Sequence, residues 1–218
     1  MERLVHRRVR GRGEPRPARA ASPHRGRLLG PRRRRRRDLL ATLVRNADRV
    51  AVACLAQLVN VIAPVLTEPG GDAWKQATFH PIALTAQHAR GVALDARVEA
   101  PAFATARHGE VPGVSATVTW DAASGSLVAL LVNRTADAVE ARVEHLGFAD
   151  VALAEASVIG ADDNVRGASS TDAAADLAAR GAAAAPKPLE GVATDGDVST
   201  VPLPAESWSL VRFTARVA

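Results

Sequence analysis

From Gly91 to the C-terminus apolar residues recur at every second position, and this period limits what the chain can fold into more than any other feature. Val114, Ala116, Val118 and Trp120 alternate with Ser115, Thr117 and Thr119; residues 121–125 are turn-forming types, and residues 127–132 return as a second strand. Val139, Ala141 and Val143 alternate with Glu140, Arg142 and Glu144, and residues 151–159 and 209–217 supply further strands. Successive side chains of a strand point to opposite faces, so short alternating runs separated by turns predict an antiparallel β-sandwich. Aromatic residues are only 3% of the chain and tyrosine is absent, so its core must be aliphatic. Residues 161–200, rich in Ala, Gly, Asp and Ser, read as a long loop or insertion, with one short helix over 172–180.

Upstream of Gly91 the period is different. Leu39, Leu40, Leu43 and Val44 form a helical stripe that Asp38 is placed to cap and that Asn46 and Asp48 end. Residues 50–62 are then almost continuously apolar, interrupted by Gln57 and Asn60. A run of that kind between a helix and a turn predicts a strand buried on both faces, as in a parallel sheet. Thr67-Glu68-Pro69-Gly70-Gly71-Asp72 is a loop signal, and Phe79, Ile82, Ala83, Ala86 and Ala89 keep helical spacing, with Pro81 in the first turn or at a kink. The fold class is therefore mainly β: a C-terminal sandwich (residues 91–218) preceded by a helix–strand–helix that belongs to a larger α/β unit (residues 38–90). One parallel strand without neighbours leaves its backbone and apolar faces in water, so residues 38–90 are expected to pack poorly while the sandwich folds.

Residues 1–37 are of another character. They hold 15 arginines against Glu2 and Glu14, a balance of +13, whereas the other 13 basic and 21 acidic residues leave the remainder at −8. The segment uses only ten residue types and cannot offset the entropy of ordering, so it reads as a disordered arginine-rich leader. Those residue types are mostly ones that GC-rich codons specify, which reads equally as out-of-frame or over-extended translation. The leader lacks the apolar stretch of a secretory signal, and no run approaches the roughly 20 apolar residues of a membrane helix. The sole cysteine, Cys54, excludes an internal disulfide and fits a reducing cytoplasm.

Specific words then identify a relative. Asn46-Ala47-Asp48-Arg49-Val50 followed by Ala53-Cys54-Leu55-Ala56-Gln57-Leu58-Val59-Asn60-Val61-Ile62-Ala63-Pro64 resembles the end of the catalytic barrel in α-L-arabinofuranosidases of glycoside hydrolase family 51. Ala73-Trp74-Lys75-Gln76 stands where that family has Trp-Arg-Gln, and Leu203-Pro204-Ala205-Glu206-Ser207-Trp208-Ser209 is similar to its closing sandwich strand. The likeness covers residues 38–218, and residues 162–191 depart from it. It implies the last helix–strand–helix of a (β/α)8 barrel, a C-terminal sandwich, and retaining hydrolysis of terminal, non-reducing α-L-arabinofuranosyl groups on oligosaccharides. Such chemistry needs two carboxyl groups about 5–5.5 Å apart. In the family both lie upstream of the matching region, and no Asn-Glu dipeptide occurs here. No catalytic residue is assigned, and the chain is expected to be inactive alone.

The resemblance also assigns substrate-binding candidates. Gln57 occupies the place of a family glutamine that hydrogen-bonds the sugar; the plain alternative is an amide serving neighbouring backbone. Asn60 reads as a turn residue before a ligand contact, and Trp74 as helix packing before a cleft wall that stacks on sugars. Glu68 is a solvated loop charge, and Cys54 in an apolar run suits an inert buried thiol. His6, His24, His80, His88, His108 and His145 are scattered without metal spacing, and Asp162-Asp163-Asn164 lacks the glycine and distal glutamate of a calcium loop, so neither metal nor cofactor is expected.

Two rival functions remain. A non-catalytic carbohydrate-associated sandwich would need stacking residues, and only Trp120 and Trp208 are available, both at positions that strand cores occupy. A nucleic-acid role would use Arg32 to Arg37, which neutralise phosphates without any interleaved aromatic to stack bases; nonspecific polyanion binding by residues 1–37 is the expectation. The resemblance admits a homo-oligomer, and the lone cysteine with the lack of a signal or membrane segment makes a cytoplasmic protein the expectation.

Overall fold

The computed structural model describes residues 32–60, 63–67, 70–106, 108–160, 179 and 182–218. The chain runs α1 (Arg32–Arg45), β1 (Val65–Thr67), β2 (Ala73–Lys75), α2 (Phe79–His88), β3 (Val92–Leu94), β4 (Ala102–Thr105), β5 (Gly109–Pro112), β6 (Val114–Asp121) and β7 (Ser126–Asn133). It continues through β8 (Val139–Glu144), β9 (Phe148–Ile159), β10 (Lys187–Pro188), β11 (Ala193–Asp195), β12 (Val198–Leu203) and β13 (Trp208–Val217). A six-stranded antiparallel sheet in the order β10-β9-β13-β7-β6-β3 packs on a three-stranded sheet, β11-β12-β8, while β1-β2 and β4-β5 are separate hairpins. The predicted sandwich is present.

Strand alternation sets the core between the two sheets. Val114, Leu127, Ala129, Leu131, Val211 and Phe213 from the large sheet meet Val201 and Leu203 of β12, and Val139, Ala141 and Val143 of β8 close over them. Glu140, Arg142 and Glu144 point away to water, as their alternation requires. The opposite face of the large sheet is also covered. Val128, Leu130, Val132, Ile159, Trp208 and Leu210 form a second core under Leu84 and Ala89 at α2. Thr117 of β6 is fully buried and donates its hydroxyl to the Ala41 carbonyl of α1 at 3.1 Å.

Several expectations require correction. Residues 50–59 do not form a buried strand: residues 51–59 are exposed and outside any sheet, with Val59 making one isolated bridge to Val65. A strand exists only by pairing, and among the described residues no strand pairs with residues 51–58. Cys54 is accordingly exposed, not buried. The helix expected to begin at Asp38 begins at Arg32, because arginine is a good helix former and the helix propagates through it. Residues 32–37 are thus helical, and residues 1–31 lie outside the described part, as do Glu68, Asp162 to Asn164 and residues 172–178. Helix α1 ends where Asn46 and Asp48 suggested: Asn46 Nδ2 donates to the Thr42 carbonyl at 2.8 Å. Residues 38–90 are not uniformly loose, since Ala41, Ala63 and Ala77 are buried along with Pro81 and Thr85 of α2. Within the expected loop 161–200, β10, β11 and the first half of β12 are strands. Proline 202 is tolerated in β12 because β11 pairs only as far as Thr200, leaving that backbone edge without a ladder partner on β11.

Candidate functional site

The substrate-binding candidates fall on the segment that leads from α1 to α2. After Arg45, a turn closed by Arg49 N–H and Val50 N–H on the Asn46 carbonyl releases the chain into the exposed stretch 51–59. Gln57 lies in that stretch, exposed and at φ 65°, so it is not a polar group sealed into a strand. Asn60 is at φ 62°, a conformation asparagine tolerates better than most residues. Its amide is engaged at both ends: Nδ2 donates to Thr67 Oγ1 at 2.9 Å, and Oδ1 accepts Thr67 N–H at 2.8 Å. Its backbone N–H donates to the Val65 carbonyl at 2.9 Å, which turns the chain into β1.

Trp74 sits on β2 opposite Leu66 of β1, half-buried, with its indole Nε1 enclosed and without a hydrogen-bond partner. Gln76 fastens the end of this hairpin through its side-chain amide to the Ala63 carbonyl (2.6 Å) and its backbone N–H to the Pro64 carbonyl (2.8 Å). Lys75 Nζ stands 4.8 Å from the Phe79 ring centre. Asn60 and Trp74 therefore belong to one hairpin unit, and Gln57 stands three residues outside it.

Among the described residues no glutamate is buried, as the acid of a retaining glycosidase would be. Each described glutamate is exposed or half-exposed, and those that pair do so with cations: Glu99 with Arg97, Glu144 with Arg142 and Glu155 with Arg212. No group of three or more His, Cys, Asp or Glu suited to a metal occurs among the described residues. Trp208 is fully buried, and half-buried Trp120 packs edge-on against Phe148 at 4.9 Å.

Two polar constellations were not legible beforehand. His145 Nε2 lies 2.8 Å from Ser199 Oγ, which lies 2.9 Å from Thr194 Oγ1, and the ring meets Phe213 edge-on. Burial lowers the His145 pKa, with Asp197 opposing. Although a serine beside a histidine suggests a nucleophile, Ser199 is 0% and His145 4% exposed, so no substrate reaches them. The group ties β8 to β12. The second constellation centres on Asn133, whose amide bridges the ends of β7, β8 and β12. The signal in each case was a lone polar residue at the end of a strand run, which sequence spacing cannot pair with its partner.

The family model of the α-L-arabinofuranosidase C-terminal domain matches residues 38–207, most of the chain. The chain belongs to that family. It is 37% identical over 183 residues to the intracellular exo-α-(1→5)-L-arabinofuranosidase of Bifidobacterium longum, covering 81% of this chain and 31% of the relative. It is 38% identical over 178 residues to the enzyme of the same description from Streptomyces lividans, covering 80% and 25% respectively. A solved family 51 α-L-arabinofuranosidase from Bifidobacterium longum superposes with a TM-score of 0.71 at 35% identity, over 83% of this chain and 34% of that one. The α-L-arabinofuranosidase of Thermotoga maritima shares the fold at 17% identity and a TM-score of 0.65. The chain thus corresponds to the C-terminal part of the family 51 architecture and spans between a quarter and a third of the curated relatives' length. No helix among the described residues is long and apolar enough to cross a membrane.

Proposed function

We propose that this chain supplies the sandwich and its two covering helices to a retaining α-L-arabinofuranosidase and hydrolyses nothing by itself. The observation that carries this reading is a family match over residues 38–207 in which no glutamate of the described part is buried beside another carboxyl group. A retaining glycosidase needs one carboxyl as nucleophile and another as acid/base, and burial of the acid is what keeps it protonated. In the intact enzyme the substrate is an oligosaccharide ending in a non-reducing α-L-arabinofuranosyl group, in line with the names of the relatives. Residues 38–90 close its barrel and residues 91–218 form its sandwich. Gln57 then hydrogen-bonds the sugar, and Trp74 lines the cleft. Asn60, with its amide held by Thr67, shapes the loop beside them more than it touches ligand. The protein works in the cytoplasm, as the word intracellular in its relatives' names supports. Residues 1–37 bind polyanions without sequence preference, and assembly into a homo-oligomer follows the pattern expected of the family.

The test is release of 4-nitrophenol from its α-L-arabinofuranoside by purified chain free of host glycosidase. The expected rate is that of buffer. Turnover well above buffer overturns the proposal.

A further inference from the structure

Four strands end the two sheets of the sandwich, and three of them are short. β3 and β11 have three residues each and β10 has two, a length at which an edge resists pairing with another chain. β8 is the exception. It runs for six residues at the end of the order β11-β12-β8, and among the described residues no strand pairs with its outer side. The register orients its hydrogen-bonding groups. Glu140 stands opposite Pro202, which has no N–H, so these two residues do not exchange ladder bonds. His145 N–H, continuing the same register, donates to the Asp197 carbonyl at 2.8 Å. The N–H and C=O groups of Val139, Ala141 and Val143 therefore face β12, and those of Glu140, Arg142 and Glu144 face outward along the edge.

The side chains say which partner fits. Val139, Ala141 and Val143 pack on the core, while Glu140, Arg142 and Glu144 are exposed. A second β8 laid antiparallel about a two-fold axis through Ala141 sets each Glu140 opposite Arg142 of the other copy. On the inner face Val139 then meets Val143, and Ala141 meets its own counterpart. An axis at Arg142 would instead oppose Glu140 to Glu144 and Arg142 to itself, and like charges directly opposite repel. An axis at Val143 would leave Glu140 beside Leu146, in the turn that follows β8. We propose that β8 is a self-pairing edge, through which two copies of the chain join by antiparallel pairing centred on Ala141. Glu140 and Arg142 of opposite copies exchange both main-chain N–H to C=O bonds, and their side chains pair on the wet face. The two small sheets become one, in the order β11-β12-β8-β8-β12-β11. The contact is isologous and uses up the β8 edge, so assembly through it stops at two. This pairing gives the homo-oligomer proposed above its surface and involves no sugar chemistry, so the two stand or fall separately.

The test is sedimentation equilibrium of the full chain from about 10 μM to about 1 mM, because a contact of one strand on each side belongs with the weak, small interfaces. A monomer–dimer equilibrium is expected. E140R opposes arginine to arginine and R142E opposes glutamate to glutamate, each at both symmetric positions, so either variant alone should dimerise at least about tenfold more weakly. An equimolar mixture of the two variants opposes unlike charges again and should regain the parent's dimerisation to within about threefold. Both side chains are exposed, so the variants keep the fold, which circular dichroism checks. A monomer at every concentration overturns the proposal. So does an assembly indifferent to both substitutions, or a mixture that associates no more tightly than the single variants. A dimer weakened by R142E alone has its axis at Val143 and overturns the pairing at Ala141.

Discussion

Replacing Asn133 by aspartate changes one NH2 to an oxygen and should cost this sandwich several kcal/mol. Asn133 is 1% exposed at the end of β7. Its Nδ2 donates to the carbonyls of Asp137 (2.8 Å), Leu203 (3.1 Å) and Pro204 (3.0 Å). Its Oδ1 accepts the N–H (2.9 Å) and hydroxyl (2.7 Å) of Thr135. In N133A the Pro204 carbonyl keeps Ser207 Oγ at 2.6 Å and the Asp137 carbonyl keeps Thr135 Oγ1 at 2.9 Å. The groups that lose most are then Thr135 N–H and the Leu203 carbonyl; at about 1–3 kcal/mol for each buried group left short of a partner, the loss is about 2–4 kcal/mol.

In N133D the Thr135 contacts survive, but an ionised oxygen faces three carbonyl oxygens, for a cost of about 3–5 kcal/mol at pH 7.5. The carbonyls disfavour the charged form, so the folded carboxyl pKa rises above the unfolded value of about 3.9. Stability of N133D should therefore fall as pH rises through that folded value and recover towards pH 5, where a protonated carboxyl donates one bond again. Urea titration followed by tryptophan fluorescence at pH 7.5 and 5 measures this. If N133D lies within about 0.5 kcal/mol of the parent at both values, the donor role of this amide is refuted, since surface substitutions cost no more than that.

Other consequences can be checked alongside. Gly91 is at φ +77° and a Cβ there would lie 2.0 Å from the Trp120 carbonyl oxygen, so G91A should separate β3 from β6 and lower stability by about 2–4 kcal/mol in the same titration. The His145 pKa lies below its ordinary 6.5 through burial, with Asp197 opposing, so the folded state disfavours the proton. Stability from this group is full above about pH 6.5 and declines as pH falls towards the folded value, a slope that H145Q should remove in urea midpoints taken from pH 8 to 5. Thermolysin, which cuts before bulky apolar residues, should cleave at Val52, Leu55 or Leu58 before any site in β6–β7; a cut inside β6–β7 that comes earlier would contradict the exposure of residues 51–59.

The strands β6, β8, β9 and β13 were legible in the sequence because alternation is a local property, readable from five or six neighbouring residues, and β7 because a short apolar run follows a turn. The same holds for α2, although its buried line runs through Pro81, Leu84 and Thr85 and not through Ile82 and Ala86. The roles proposed for Gln57 and Trp74 rest on resemblance alone, since no spacing marks a glutamine in an apolar run as a ligand.

What tertiary structure decided is the set of features that depend on distant partners. The apolar run at residues 50–59 carries every local mark of a strand and is not one, while residues 198–200, expected to end a loop, become the first half of the central strand of the smaller sheet. Ser115, Thr117 and Thr119 read as the wet side of β6, yet they are buried because α1 and α2 cover that face. A helix closes its hydrogen bonds within four residues of its own sequence, so α1 could form from the arginine run onward. A strand closes them across the sheet: β12 finds β8 more than fifty residues away, and among the described residues no strand pairs with residues 51–58.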